Sequence, residues 1–136
     1  NYINLINKLN LKGNYFFYIL CGPNEKEISK KIINSTSLDK CISFCEKTVG
    51  EIIPIMSTCD LYIGNDSFGH HVCSQVGIPS IILMLDTPSA YSDYSVNQHR
   101  VLPDGTNINE VDHNSNFSKD QIGVDKVYRK ALSLLS

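Results

Sequence analysis

The residues best suited to chemistry are grouped between Gly64 and His71, in the run Gly-Asn-Asp-Ser-Phe-Gly-His-His. An apolar, strand-like segment, Leu61-Tyr62-Ile63, leads into this run, and a helical pattern extends from Ser67 to about Val76. A strand-turn-helix junction of this kind turns the first-turn N–H groups of Ser67, Phe68 and Gly69 toward a crevice at the end of a sheet. Those amides and the positive helix end favour a diphosphate or a similar anion. Gly64 permits a tight exit from the strand, Asn65 and Asp66 can bond the local backbone, and Ser67 or Asp66 can cap the helix. Gly69 would let a ligand approach the first turn closely. The Asp66 carboxylate would repel a phosphate laid against it, so its expected duty is to hold the turn or to accept a bond from a hydroxyl or amide. His71 can bond a phosphate or sugar oxygen, or sit in the interior with its ring satisfied; His70 is expected at the surface or rim. No metal site is expected from the pair, because neighbouring helix positions diverge by about 100°. The residues alone leave two readings open, a ligand-free polar turn and an anion site.

The elements that must position this run can be read from periodicity. Tyr15 to Leu20 is an apolar run expected to be a strand buried on both faces. Cys21-Gly22-Pro23 ends it, and Asn24 with Glu27 suggests a capped helix with Ile28, Ile32 and Ile33 as its stripe. A short strand is expected from Cys41 to Cys45. Thr48 and Glu51 form a second capping-box pattern, opening a helix that would bury Val49, Ile52, Ile53 and Met56 and be shortened or kinked at Pro54. Strands are expected at 59–63 and 80–84, with Gly77-Ile78-Pro79 closing the helix between them. The alternation β-α-β-α-β-α-β gives an α/β class with a parallel sheet. Residues 86–118 form a long polar stretch in which only His99 to Leu102 suggests a strand, and 120–136 a closing helix on Val124, Val127, Ala131 and Leu134. Asp86-Thr87-Pro88-Ser89 ends its strand on the same side as Asn65 to Ser67. There Thr87 is either an ordinary loop residue or a phosphate contact.

With 136 residues the chain suffices for one compact domain, residues 1–136, burying roughly 65–70% of its unfolded surface. Its 12 basic and 14 acidic side chains, net charge −2, show no basic stripe, so no nucleic-acid partner is expected. The apolar stretch from Ile78 to Leu85 is too short to span a membrane. Five cysteines without a Cys-x-x-Cys pair suggest reduced interior thiols and a cytoplasmic setting. The opening at Asn1, within an amphipathic segment (Ile3, Leu5, Ile6, Leu9, Leu11), suggests an excised part of a longer protein. Neither a Walker loop nor a Gly-x-Gly-x-x-Gly run occurs.

Taken in order, these pieces resemble the C-terminal domain of glycosyltransferase family 9, the ADP-heptose:lipopolysaccharide heptosyltransferases. The resemblance is carried by Gly22-Pro23-Asn24-Glu25, by Glu46-Lys47-Thr48-Val49-Gly50-Glu51-Ile52, and by Cys59 to Ser67 continuing without a gap through His71-Val72 to Gly77-Ile78-Pro79. It ends at Met84-Leu85-Asp86-Thr87 and Ile122 to Val127. It implies a Rossmann-like, C-terminal half of a two-domain GT-B transferase that binds a nucleotide-diphosphate sugar, ADP-heptose in the family. The transfer would be inverting and without a metal or other cofactor, to a lipopolysaccharide or other glycan acceptor. The acceptor site and catalytic base would lie in the N-terminal domain, leaving no catalytic residue assigned here. The implied donor contacts are Asn65, Asp66, Ser67, Phe68, Gly69 and His71, with Thr87 and Lys47. The parent protein would work in the cytoplasm, with a peripheral contact at the inner face of the membrane. Three positions depart from the family pattern: Phe68-Gly69 replaces Gly-Pro, Met84-Leu85 replaces Phe-Gly, and Cys73-Ser74-Gln75 replaces an alanine run. Two other classes compete: a non-catalytic nucleotide- or sugar-binding domain or decayed transferase, and a nucleotide-sugar epimerase.

Overall fold

The computed structural model describes residues 1–36 and 38–136. The chain divides into two compact units, Asn1–Pro54 and Ile55–Ser136.

In the first unit, helix α1 (Tyr2–Lys12) buries Leu5, Ile6 and Leu9, three positions on one helical face, and packs on helix α2 (Lys26–Thr36). Strands β1 (Phe17–Ile19) and β2 (Cys41–Ser43) pair in parallel, with Phe17 opposite Cys41. Contrary to a strand buried on both sides, β1 alternates: Phe16 and Tyr18 are exposed, as is Ile42 opposite Tyr18. Side chains on a strand point to opposite faces, and here only one face is covered. The turn after β1 also differs from its expected form. A 3-10 turn spans Pro23–Glu25, and Glu25, not Glu27, closes it by accepting from the Gly22 N–H at 2.8 Å. This start rotates α2 so that Ser29 faces inward and bonds Ser43, while Ile28 is exposed.

Helix α3 (Val49–Met56) spans the boundary between the units and contains Pro54. Its expected cap is present on one side, with Glu51 Oε2 accepting from the Thr48 N–H at 2.8 Å and the Thr48 hydroxyl at 2.9 Å. The backbone and hydroxyl of Thr48 hold the Glu51 carboxyl down at about 2. Only Ile52 and Met56 are buried; Val49 and Ile53 are exposed, so the apolar stripe is narrower than its composition suggests.

The second unit carries a three-stranded parallel sheet in the order β3 (Tyr62–Asn65), β4 (Ser80–Leu83), β5 (Gln98–Val101). Tyr62, Ser80 and Gln98 are aligned at one end, and Asn65, Leu83 and Val101 at the other. The strands thus form two parallel sheets where one was expected. β3 begins later than the apolar pattern suggested and includes Gly64 and Asn65. Central β4 has neighbours on both edges, and Ile81 and Ile82 are fully buried. Ile82, Met84 and Val111 form a core cluster joined by Leu102 and Phe117. The polar stretch 86–118 therefore contributes an edge strand of this sheet and a core valine. Helix α4 (Phe68–Val76) packs on β3 and β4 and ends at Gly77, whose φ of 81° is the left-handed geometry glycine tolerates best. Helix α5 (Val124–Leu135) buries Val127 and Ala131 and packs on β4. Lys126 ties it to the exit of β5 through the Leu102 carbonyl at 2.8 Å and Asp104 at 3.0 Å. All five cysteines are free thiols; Cys41, Cys45 and Cys73 are buried. Among the described residues no helix is long and apolar enough to cross a membrane.

Candidate functional site

Strand β3 ends at Asn65 and α4 starts at Phe68, so Asp66 and Ser67 make a two-residue passage from sheet to helix. Ser67 occupies the N-cap position in extended conformation, but its side chain makes no cap bond. Its hydroxyl lies 3.5 Å from the Tyr62 hydroxyl instead. The cap expected from Ser67 or Asp66 is therefore not formed by Ser67, and Asp66 is committed elsewhere.

Asp66 Oδ1 bonds His70 Nε2, four residues on and one turn into the helix. The far side of that ring receives Gln98 Nε2 on Nδ1 at 2.8 Å, so Gln98 on β5 supplies a third member. With Gln98 donating to Nδ1, the imidazole carries its proton on Nε2 and gives it to Asp66. Burial pushes His70 below its ordinary pKa, against the opposing pull of Asp66, and the ring is neutral at pH 7. The assignment of His70 to the surface is thus reversed: it is fully buried, while the His71 side chain is 47% exposed.

The two rings also fail to diverge. Helical Cβ atoms tilt toward the N-terminus, and both side chains reach back over the turn that precedes α4. Their ring centres are 3.9 Å apart, and His71 Nε2 lies 3.9 Å from Asp66 Oδ1. Tyr94 bonds His71 Nδ1 and lies nearly parallel to its ring, fixing its orientation.

The glycines of the run serve an aromatic neighbour. A methyl group at Gly64 would lie 2.2 Å from the Tyr62 hydroxyl, and one at Gly69 would lie 2.4 Å from three atoms of the same ring. Gly69 thus accommodates Tyr62, where close approach by a ligand was expected. Burial raises the Tyr62 hydroxyl pKa, which keeps it protonated. Phe68, at the first helical position, is 45% exposed.

Of the other sequence-derived residues, Asn65 is exposed at the end of β3. Thr87 follows β4 with its hydroxyl 4.0 Å from the Met84 sulfur. Lys47 belongs to the first unit, where it pairs with Glu51 at 3.3 Å. The structure therefore groups Asp66 and His71, with Ser67 beside Tyr62. His70, Gln98, Tyr94 and Tyr62 were missed as site residues. An Asp four residues before a His at a helix start was the available signal for His70; Gln98 and Tyr94 carry no local signal. A separate open depression lined by Glu110, Asp112, Asn114, Phe117 and Gln121 carries two carboxylates and is unfavourable to a diphosphate.

A sequence profile of glycosyltransferase family 9 (heptosyltransferase) matches residues 1–119. This chain belongs to glycosyltransferase family 9. Two solved structures share its fold. A glycosyl transferase family 9 protein from Veillonella parvula DSM 2008 superposes with a TM-score of 0.80 at 21% identity, covering 98% of this chain and 40% of that one. E. coli ADP-heptose lps heptosyltransferase II superposes with a TM-score of 0.75 at 16% identity, with the same coverages. The family 9 chain described here thus spans about two fifths of their length. No curated protein matches it.

Proposed function

We propose that this chain is the C-terminal, donor-binding half of a GT-B type family 9 transferase, and that the β3–α4 turn holds the diphosphate of a nucleotide sugar. The observation that carries this reading is the meeting of Asp66 and His71 at the N-terminal end of α4, with the Ser67 side chain not capping the helix. Helix-end amides and an exposed imidazole are suited to an anion whose charge grows during reaction. In the transfer, an acceptor hydroxyl oxygen bonds the anomeric carbon as the bond from that carbon to the diphosphate oxygen breaks. The electron pair leaves with the nucleotide diphosphate, and the hydroxyl proton passes to a base outside this chain. Asn65 and Phe68 would border the donor, and Thr87 would be an outlying contact. A heptose donor, a lipopolysaccharide or other glycan acceptor, and work at the cytoplasmic face of a membrane complete the proposal.

Binding without turnover is the second reading, favoured by Phe68 at the first helical position and by the Tyr62 ring against Gly69. Both occupy a helix end that a diphosphate would approach. Calorimetry of the chain against ADP, UDP and GDP tests donor binding. One nucleotide should bind, with at least a tenfold loss in His71→Ala. No binding, or binding indifferent to His71→Ala and Asp66→Ala, would refute the site. Sugar transfer by a longer form of the protein, absent when only nucleotide binds, separates the two readings.

A further inference from the structure

Strands β1 and β2 run in parallel with Ile19 opposite Ser43. The Phe44 N–H donates to the Ile19 carbonyl at 3.0 Å, which carries the pairing beyond the end of β2. Two residues past Ile19 stands Cys21, and two past Ser43 stands Cys45. Alternate residues of a strand share a face and neighbouring strands lie about 4.8 Å apart, so this register brings the two cysteines side by side. Their thiols hydrogen-bond each other. We propose that Cys21 and Cys45 are a redox-sensitive dithiol, closed to a reversible disulfide by a peroxide. The proposal stands apart from the donor reading, which uses neither thiol.

A disulfide needs Cα atoms about 4.4–6.8 Å apart, a spacing that adjacent strands supply. The segments that follow the two strands are tied at further points. Lys26 pairs with Glu46, the residue after Cys45, and the Lys47 N–H donates to the Phe44 carbonyl at 3.0 Å. Next to Cys21, the Gly22 N–H is held by Glu25 at 2.8 Å. Ser29 of α2 bonds both Ser43 and the Cys21 thiol, and the Cys45 N–H donates to the Ser43 hydroxyl at 3.3 Å. Neither segment has to be ordered before the thiols can meet. Other thiols are engaged differently: Cys41 bonds Thr36, and Cys59 bonds the Ile55 carbonyl at 3.6 Å.

Exposure divides the roles. Cys21 is partly open to solvent, while Cys45 is buried. The Cys21 sulfur, as its thiolate, attacks one oxygen of hydrogen peroxide. An S–O bond forms, the O–O bond breaks, and the displaced hydroxide takes a proton to become water. The Cys45 sulfur, having lost its proton, then attacks the Cys21 sulfur of this sulfenic acid. The S–S bond forms as the S–O bond breaks, and the leaving hydroxide also takes a proton to become water. Two thiols and one peroxide thus give one disulfide and two waters; the sulfurs together lose two electrons and the peroxide oxygens gain them. Burial, then Cys45 and Glu25, holds the Cys21 thiol above its ordinary 9.0, against the bond from Ser29. The reduced pair is therefore the resting state, and closing it takes an excess of peroxide. The bridge would pin the 3-10 turn that starts α2 to the exit of β2.

The chain, reduced and then freed of reductant, is treated with hydrogen peroxide and followed by intact mass and non-reducing peptide mapping. The expected product is a monomer lighter by two hydrogens, carrying a Cys21–Cys45 cross-link that dithiothreitol removes. The oxidised chain should melt several degrees above the reduced one, because the bridge restricts the unfolded state. In Cys45→Ser the internal cross-link should vanish, and dimedone should trap a sulfenic acid at Cys21. Cys21→Ser, at a partly open position, should also abolish the cross-link, and it serves as the test if the buried substitution unfolds the chain. In Cys59→Ser the cross-link should persist. A parent that keeps its mass, links other cysteines or forms only dimers would overturn the proposal. So would a Cys21–Cys45 link that forms only in denaturant, or an oxidised chain that melts no higher than the reduced one.

Discussion

Replacing Gly69 by alanine should destabilise the chain, although alanine is the better helix former. The Tyr62 ring lies against both Gly64 and Gly69, and a methyl at Gly69 would come within 2.4 Å of Cε2, Cζ and the hydroxyl oxygen. Carbon atoms prefer about 3.5–4.0 Å, so the ring must shift by more than an ångström. It cannot move toward Gly64, where a methyl would already lie 2.2 Å from the hydroxyl. Overpacking of this kind costs about 1–3 kcal/mol. Alanine recovers at most about 1 kcal/mol of helix propensity. The net expectation is a loss of up to about 2 kcal/mol, read from urea unfolding followed by circular dichroism. The cause is isolated by Tyr62→Leu, whose side chain stops short of the clashing atoms. In that background Gly69→Ala should be neutral or stabilising, giving a coupling energy of about 1 kcal/mol or more. A Gly69→Ala variant more stable than the parent, or an additive cycle, would refute the packing argument.

Three further outcomes follow from the ionisable groups. Burial, aided by the nearby Cys59 thiol, pushes Cys73 up to about 12, so at pH 8 a thiol reagent should modify it only after denaturation, as peptide mass spectrometry would show; rapid native labelling would contradict this. Glu51, held from an ordinary 4.5 to about 2 by the backbone and hydroxyl of Thr48, contributes stability that is present above about 4.5 and lost as pH falls toward 2. Unfolding measured against pH should show a shallower acid limb in Glu51→Gln. His99 is lowered from 6.5 by burial and then by Lys130, so its neutral form favours folding above pH 6.5 and that contribution fades below it. An NMR titration should place its midpoint under 6.5, and Lys130→Met should raise it.

Much of the architecture was legible because local signals agreed with the fold. Thr48 and Glu51 mark the start of α3, Gly77 marks the end of α4, and His99 to Leu102 falls one residue from β5. Errors arose where a pattern tells the element type but not what covers it. Phe16, Tyr18 and Ile42 look like interior residues, yet a strand's second face is buried only if another layer lies on it. Ile28 and Val49 were placed inside by their helical spacing, but the 3-10 turn at Pro23–Glu25 sets the inward face of α2 differently, and Val49, the first residue of α3, is left exposed. At the candidate site, Asp66 and His71 were legible from a turn and a helix start. The buried His70 was not, because its environment is completed by Gln98, 28 residues away on another strand.

The Asp66 carboxylate decides what this helix end can hold. A carboxylate near a helix N-terminus is favourable to the helix but competes with an incoming anion for the same positive potential. Bonding to a neutral His70 orients that charge without cancelling it, since Gln98 already donates to the opposite ring nitrogen. The other ring that reaches this carboxylate is His71, whose Nε2 lies 3.9 Å away. Removing the charge while keeping the shape of the side chain, as in Asp66→Asn, should therefore raise nucleotide-diphosphate affinity. Calorimetry of the parent and the variant reads the difference. An affinity that Asp66→Asn leaves unchanged would show that helix amides alone outweigh the carboxylate.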